Sequence, residues 1–444
     1  MMNFQNNTQK KGDVSMLCKN IESVNGNLHF AGMNTLTLAK KYGTPLYLMD
    51  EERIRENCRI YKNALGKLYD NFTVLYASKA CSFKRIYEIM KEENMGIDVV
   101  SSGEIYTALR AGFPLEKAYF HSNNKTDDDI SFAMENSLGH FVVDGFDELD
   151  AIERIASKLG KNQKILLRLT PGIDTHTYEA VNTGKVDSKF GTAIETGQAE
   201  EIVEYALKFK HIQLCGFHCH IGSNVFDSDT FLRGSEIMLD FMGLMREKFD
   251  YTAKELDLGG GYGVRYTDDD EYIDIAENIK KVYEAVKLKI DAMNYPMPQI
   301  LMEPGRSIVA DAGMTLYTAG TVKEITGYKN YLSVDGGMTD NPRYALYKSP
   351  YTVFLANKMD KESNYKCSLV GRCCESGDVI QEDITIPKPH RGDIVAVATT
   401  GAYNYSMASN YNRIPRPPVV MINSGEDYIA VRRETLEDLT VNDL

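Results

Sequence analysis

Eight short apolar runs, alternating with helical patterns, constrain the fold of this chain more than any other feature. They lie between about residue 70 and about residue 305, and such alternation is typical of parallel βα units. The runs are Phe72 to Ala77, Gly96 to Val100, Ala118 to His121, His140 to Asp144, Ile165 to Leu169, Gln213 to Phe217, Glu255 to Leu258 and Gln299 to Met302. Eight parallel strands in roughly 235 residues predict a closed (β/α)8 barrel of the TIM type.

A flavodoxin-like open sheet is the alternative, because it would show the same alternation. Helical patterns such as Glu148 to Leu159 and Ala199 to Lys210 fit either architecture. Eight strands without a reversal point favour the barrel.

A second domain is expected because 444 residues exceed one ordinary compact domain. The remaining segments carry strand-like runs with few helical patterns: Tyr331 to Val334, Tyr365 to Val370, Asp393 to Val397 and Val419 to Ile422. We therefore predict an α/β protein with a barrel at 46–312. Segments 1–45 and 313–444 would form a β-rich, β-barrel-like C-terminal domain to which the N-terminal segment contributes.

The composition indicates which kinds of molecule this protein binds. Lysine and arginine number 50 against 63 aspartates and glutamates, and the net charge of −13 disfavours nucleic acid and anionic membranes. No stretch approaches the roughly 20 apolar residues of a membrane span, and residues 1–13 lack a signal-peptide pattern. Eight cysteines without a CxxC pair indicate reduced thiols. We expect a cytoplasmic protein that acts on a small molecule.

Functional-looking residues repeatedly follow the last apolar position of a run, so a barrel would gather them on one rim. They are Lys79, Ser101, Ser102, Asn123, Asn124, Arg168, His218, His220, Gly259 to Gly261, Glu303 and Arg306. Polar residues at strand ends are also common simply because loops are exposed to solvent.

Three of these motifs together suit pyridoxal phosphate. A lysine amine can form a Schiff base, an acid can pair with the pyridine nitrogen, and glycines with an arginine can hold the phosphate. Lys79, Glu303, Gly259 to Gly261 and Arg306 supply that set. Taken singly, each has a simpler interpretation as a snorkelling surface lysine, a tight turn or a surface ion pair.

His218-Cys219-His220 could suggest a metal, since His-x-His on a strand puts both rings on one face. No acidic residue or further histidine sits in a matching motif nearby, so no metal is predicted. A ring stacked on a flat ligand is favoured, and Ser223 would offer a hydroxyl to the same phosphate.

Ordered motifs over about residues 43–418 resemble one family. The chain is similar to the pyridoxal-phosphate decarboxylases built on an alanine-racemase-like barrel, and most closely to the diaminopimelate decarboxylases. The motifs that carry the resemblance are YASKA (76–80), DVVSSGE (98–104), HSNNK (121–125), TGKVDSKFG (183–191), HCHIGS (218–223), LGGGYG (258–263), EPGRS (303–307), DGGMTDNPRYALY (335–347), CESGD (374–378) and GAYNYSMASNYN (401–412).

The resemblance implies a role for each matching residue. Lys79 would bind the cofactor covalently, His220 would stack on its ring and Glu303 would meet its pyridine nitrogen. The remaining cofactor-binding residues would be Asp98, Ser223, Gly259, Gly260, Gly261, Gly305, Arg306 and Tyr403. Substrate would contact Arg306, Arg343, Tyr347, Glu375 and Tyr403.

The resemblance also implies that a cysteine thiol takes part in catalysis. Cys374 matches the family's candidate proton donor, which comes with Glu375 from the partner subunit of a homodimer. The residue before it is Cys373, so either thiol could act. A buried structural role is the commoner fate of a cysteine.

Three functions follow as hypotheses. The resemblance implies decarboxylation of meso-2,6-diaminopimelate to L-lysine and carbon dioxide, the last step of lysine biosynthesis. The runner-up is a decarboxylase of ornithine, lysine or arginine on the same scaffold, and the third is a binding or regulatory homologue. The long connection from Pro171 to Gly191 is predicted to act as a lid, with a surface insertion as the alternative.

Overall fold

The computed structural model describes residues 18–173 and 188–444, and this part of the chain forms two compact units. One unit comprises Ile54–Val264 and Glu271–Ala310. The other comprises residues 18–53, Arg265–Asp270 and Asp311–Leu444. Most of the predicted lid, residues 174–187, lies outside the described residues.

The first unit is a closed barrel of eight parallel strands. Each strand pairs with the next in sequence, and the last pairs with the first. The strands are β1 (Phe72–Ala77), β2 (Gly96–Val99), β3 (Ala118–Phe120), β4 (His140–Val143), β5 (Gln163–Thr170), β6 (Ile212–His218), β7 (Glu255–Asp257) and β8 (Gln299–Met302). The predicted (β/α)8 barrel is confirmed.

One helix follows each barrel strand. They are α1 (Lys84–Glu92), α2 (Ser102–Arg110), α3 (Asp127–Glu135), α4 (Phe146–Leu159), α5 (Gln198–Ala206), α6 (Ser228–Phe249), α7 (Ile275–Ala292) and α8 (Arg306–Val309). Polar N-caps explain several of their starts, because a side-chain oxygen accepts from the unpaired amides of the first turn. Ser101, Asp227 and Asp274 cap α2, α6 and α7, and Thr126 forms a capping box with Asp129 at α3.

Short elements complete this region. A helix at Glu51–Gly66 precedes β1, 3-10 turns occupy Ser78–Ala80 and Leu115–Lys117, and a two-residue strand at Thr192–Ala193 pairs with the end of β5.

An apolar layer fills the barrel interior. Its members come from six different strands: Leu75, Tyr119, Val142, Leu166, Cys215 and Leu301. Because side chains alternate between the two faces of a strand, residues two positions after this layer also point inward. His121 after β3 and Glu303 after β8 therefore reach the interior at the carboxyl ends of the strands.

The second unit is built on a β-sheet. Its strand order is Val379–Ile386, Tyr365–Val370, Lys329–Val334, Gly313–Ile325, Leu46–Asp50, Val419–Asn423 and Glu426–Val431. Two further strands branch from this order: Ile394–Ala398 pairs with Gly313–Ile325, and Val353–Leu355 pairs with Ile394–Ala398. Leu46–Asp50 is buried at every position and pairs antiparallel with Gly313–Ile325 and parallel with Val419–Asn423. The predicted β-rich domain with an N-terminal contribution is confirmed, and this unit also includes Leu46–Asp50, which the predicted bounds assigned to the barrel.

Smaller elements surround this sheet. A three-stranded sheet of Ile21–Val24, Asn27–Phe30 and Met33–Asn34 leads into a helix at Thr35–Tyr42. A short helix occupies Arg343–Tyr347, and 3-10 turns lie at Tyr405–Met407, Tyr411–Arg413 and Glu437–Leu439. All eight cysteines are free thiols. Across residues 18–173 and 188–444, no helix combines the length and apolarity needed to cross a bilayer.

Candidate active site

A carboxylate between two histidines forms the centre of the barrel's carboxyl-terminal end. Nε2 of His218 lies in hydrogen-bond contact with Oε2 of Glu303 at 3.1 Å, and Nε2 of His121 lies 2.6 Å from Oε1. All three side chains are buried, and the two rings meet edge to face. Burial opposes ionisation of Glu303, yet both histidines outweigh it and hold its pKa well below the usual range. Burial also lowers the pKa of His218 to about 4.

Two further carboxyl groups near Glu303 have raised pKa values, and Glu303 therefore carries more of the negative charge than they do. Burial and the charge of Glu303 raise the pKa of Asp257 well above its usual value. The backbone N–H of Gly259 donates to Oδ1 of Asp257 at 2.8 Å. Asp98 is buried with Oδ1 3.8 Å from Nε2 of His121, and burial raises its pKa as well. Glu303 is therefore the anion that a ligand would meet.

The glycine turn after β7 has no room for side chains. A Cβ on Gly260 would lie 2.1 Å from the backbone oxygen of Glu303, and one on Gly261 would lie 2.3 Å from the oxygen of Gly222. Gly259 and Gly261 have φ values of +66° and +110°, which other residues rarely adopt. Bare backbone at this end of a barrel suits the close approach of an anion such as phosphate.

A guanidinium and a hydroxyl lie beside this turn. Nη2 of Arg306 donates to Oγ of Ser223 at 2.8 Å, and the arginine is buried. The backbone N–H of Gly260 donates to Nδ1 of His220 at 3.4 Å. Burial, followed by the charge of Lys79, holds the pKa of His220 well below its usual value. The imidazole is thus a neutral flat ring next to a cation.

Lys79 lies in the 3-10 turn Ser78–Ala80 directly after β1, with its side chain exposed. Its charge favours ionisation of Asp98 and Glu104, and it disfavours protonation of the imidazole of His220. Gly305 packs against the same strand end, since a Cβ there would lie 2.9 Å from Cβ of Ala77. The barrel residues chosen from the sequence thus share the carboxyl-terminal end of the strands.

The sequence motifs gave no role to His121 or Asp257, and they identified Arg168 only as one of the polar residues expected on this rim. Asp257 could have been found from its position at the end of β7, two residues before Gly259. Arg168 is half-buried on β5, with Nε 3.9 Å from Oδ1 of Asp144, and the ring of Phe190 lies 4.5 Å from its guanidinium. A cation that has lost much of its hydration needs such partners to remain charged.

The sequence argument against a metal relied on the lack of an acid near His218. The fold brings an acid and another histidine to it, and ligand atoms of His121, His218 and Glu303 lie within 4.8 Å of one another. The absence of a metal at this position stays a prediction.

In the second unit, Arg343 is a buried cation surrounded by hydroxyls. Nη1 donates to the hydroxyl of Tyr351 at 3.0 Å, and Nη2 donates to Oγ of Ser349 at 3.1 Å. Rings of Tyr266 and Tyr403 lie 4.8 and 6.0 Å from the guanidinium. Burial would lower its pKa, but the tyrosines outweigh that effect and raise it. Among the described residues, no carboxylate forms an ion pair with Arg343.

The two adjacent thiols have different environments. Cys373 is half-buried, and burial together with Asp378 raises its pKa to about 11. Cys374 is exposed, and its backbone N–H donates to Oδ1 of Asn412 at 2.8 Å. Glu375 is also exposed, and its Oε1 accepts from the backbone N–H of Gly377. Of the two thiols, the one at 374 is therefore the more accessible to a reactant.

Comparison with known proteins decides the family. Residues 51–310 match the family described as pyridoxal-dependent decarboxylase, pyridoxal binding domain. The diaminopimelate decarboxylase of Bacillus subtilis (strain 168) is 45% identical over 423 residues, which cover 95% of this chain and 96% of that protein. This chain belongs to the diaminopimelate decarboxylase family. The resemblance found in the sequence motifs is confirmed, and the chain is a pyridoxal-phosphate-dependent decarboxylase by family.

Solved structures of the family agree with the fold. Diaminopimelate decarboxylase from M. jannaschii, in complex with L-lysine, has a TM-score of 0.90 at 32% identity over 97% of this chain and 99% of that chain. A lysine/ornithine decarboxylase from Vibrio vulnificus, complexed with putrescine, has a TM-score of 0.75 at 26% identity over 88% of this chain and 97% of that chain. The more similar of these two structures is thus a diaminopimelate decarboxylase.

Proposed function

We propose that this chain decarboxylates meso-2,6-diaminopimelate at its D-configured carbon, giving L-lysine and carbon dioxide in the last step of lysine biosynthesis. Family membership supports the reaction type. The observation that carries the substrate is Arg343, a buried cation for which the described residues supply hydroxyls and no ion-paired carboxylate. Diaminopimelate has a second carboxylate to meet such a cation, whereas ornithine and lysine do not.

The barrel residues fit pyridoxal phosphate as cofactor. The phosphate would lie on the bare turn Gly259–Gly261, with charge from Arg306 and a hydroxyl from Ser223, because a Cβ in that turn would collide with backbone. Lys79 would hold the cofactor covalently through its amine, and His220 would stack on the ring. When bound, pyridoxal phosphate supplies a ring that accepts the electron pair left by departing carbon dioxide.

Glu303 sets the protonation state of that ring. Its carboxylate is held by His121 and His218, which keep its pKa well below the usual range, while the pKa of Asp257 is raised. An anion held in this way favours a proton on the pyridine nitrogen that it would meet. Asp98, close to His121, would support the same network.

The proton that replaces carbon dioxide would come from Cys374, supplied with Glu375 by the partner subunit of a homodimer. Exposure of both side chains in the single chain agrees with this role. Glu375 would meet the distal ammonium of the substrate while Arg343 meets its distal carboxylate, and Tyr347 and Tyr403 would line the same end.

The test of substrate is carbon dioxide release from meso-diaminopimelate, ornithine, lysine and arginine under matched conditions. Arg343→Gln should lower kcat/KM for diaminopimelate about 30- to 1000-fold, because about 2–4 kcal/mol of charge-assisted hydrogen bonding is lost. The exposed Arg391→Gln is the matched control and should leave it unchanged. Equal or faster release from ornithine by the native enzyme would contradict the proposal.

The cofactor has its own test. The purified protein should be yellow, and Lys79→Ala should abolish the visible absorbance band that Lys84→Ala, another exposed lysine on the adjoining helix, retains. A native protein that stays colourless after incubation with pyridoxal phosphate would refute the cofactor assignment.

A further inference from the structure

A second polar cluster lies inside the barrel at the opposite end from the candidate active site. His140 is the first residue of β4, Glu255 is the first residue of β7, and Cys215 lies in β6 between them. Their exposed fractions are 6%, 9% and 4%, so all three are buried. No step of the proposed decarboxylation uses them.

The imidazole of His140 is poorly satisfied in this position. Neither ring nitrogen has a hydrogen-bond partner among the described residues, although Nε2 lies 3.3 Å from Oε1 of Glu255. Buried polar groups are normally hydrogen-bonded, because an unpaired one loses its hydration without compensation. Both ring nitrogens of His140 are therefore buried polar atoms without a hydrogen-bond partner among the described residues.

The separation of the histidine and glutamate atoms matches that of two ligands on a zinc ion. Two ligands that each lie about 2.0–2.1 Å from a tetrahedral zinc ion are separated by about 3.3 Å. The Nε2 to Oε1 distance of 3.3 Å has this value. Sγ of Cys215 completes a set of three ligand atoms that all lie within 4.8 Å of one another. Thiolate, imidazole and carboxylate are the donors that zinc takes in proteins.

Tyr119 orients two of the three ligands. Its ring stacks on that of His140 with centroids 4.3 Å apart and an interplanar angle of 4°. Its hydroxyl donates to Oε2 of Glu255 at 3.3 Å, which leaves Oε1 turned towards the imidazole. Outer contacts of this kind fix the direction of a ligand and strengthen metal binding.

We propose that His140, Cys215 and Glu255 bind one zinc-class divalent cation at the amino-terminal end of the barrel. On binding, the metal–sulfur bond replaces the S–H bond, and the thiol proton passes to solvent. Three protein ligands leave a fourth position for water. The ion would tie β4, β6 and β7 together at the opposite end of the barrel from the reacting groups, so its role is structural. This assignment departs from the sequence prediction of no metal, which was made only from the motif that contains His218 and His220.

Cobalt binding to the tag-free holoenzyme, stripped of metal by a chelator and then dialysed, tests the proposal. Tetrahedral cobalt has visible ligand-field bands at longer wavelengths than pyridoxal phosphate absorbs. We expect these bands to saturate at one cobalt per chain and to be displaced by zinc, with one proton released per cobalt. Cys215→Ser and His140→Gln should abolish saturation. Cys367→Ser, which alters a buried cysteine of the other unit, should retain it.

Two outcomes would overturn the proposal. One is native protein that binds no more cobalt than Cys215→Ser does, which would make the cluster a polar contact only. The other is binding that is lost in His218→Gln and retained in Cys215→Ser, which would place the ion at the opposite end. If Cys215→Ser fails to fold, alkylation of the native protein decides, because bound zinc should protect Cys215 at least tenfold. Equal alkylation rates with and without zinc would reject the site.

Discussion

Replacing His218 with glutamine should weaken the acid sensitivity of the fold. The native ring is 1% exposed and in contact with Glu303, and burial lowers its pKa from 6.5 to about 4. Below pH 6.5 the unfolded chain binds a proton at this residue that the folded chain does not accept. Stability contributed by His218 is therefore complete above pH 6.5 and is lost as pH falls towards 4.

The size of the effect follows from these two pKa values. Linkage between an unfolded pKa of 6.5 and a folded pKa of about 4 gives a loss of about 2 kcal/mol between pH 7.5 and pH 5. The full difference, reached below pH 4, is about 3 kcal/mol. Glu303 stays ionised throughout the pH 5 to 7.5 window, because its pKa is well below the usual value.

Urea unfolding at pH 7.5 and pH 5, followed by far-ultraviolet circular dichroism, measures the difference in a chain that lacks tryptophan. His218→Gln should lower stability at pH 7.5 and yet lose about 2 kcal/mol less than the native protein on acidification. His390→Gln, at a side chain that is 70% exposed, is the control and should keep the native dependence. Equal acid losses in the native and His218→Gln proteins would refute the reasoning.

Three further substitutions have defined outcomes. Gly260→Ala should abolish retention of pyridoxal phosphate on gel filtration, because the new Cβ would lie 2.1 Å from backbone, whereas Gly103→Ala in helix α2 should retain it. Glu303→Gln should lower kcat by at least about 100-fold in a carbon dioxide assay, since a neutral amide no longer favours a protonated ring nitrogen. Lys125→Met should cost about 3–5 kcal/mol in urea unfolding, because it leaves the carboxylate of Glu148, which is only 9% exposed, without the amine 2.7 Å away.

The barrel could be predicted because its strands are short continuous apolar runs. β1 and β8 begin and end where the sequence placed them, whereas β5 is longer and begins at Gln163. The helical pattern from Ala199 to Lys210 was too long, since α5 ends at Ala206. Element ends depend on caps and tertiary contacts, which periodicity does not contain.

The candidate site was predictable where local motifs carry the chemistry. Glycines at 259–261 and the lysine after β1 have sequence signatures. The state of Glu303 does not, because it depends on His121 and His218, which come from other strands. Nor does the sequence distinguish Asp257 from Glu303, because burial and the charge of Glu303 raise the pKa of Asp257 whereas two histidines lower the pKa of Glu303.

The buried strand Leu46–Asp50 sets an order for folding during synthesis. Both of its partners, Gly313–Ile325 and Val419–Asn423, leave the ribosome only after the whole barrel sequence has been made. Domains generally fold as units while the chain grows, so the barrel can close while this strand waits. Until Val419–Asn423 appears, an apolar strand has an unpaired edge, the kind of segment that chaperones bind and that aggregates when it is left exposed. Because the two ends of the chain share one sheet, this strand is prone to aggregation for a long part of each round of synthesis.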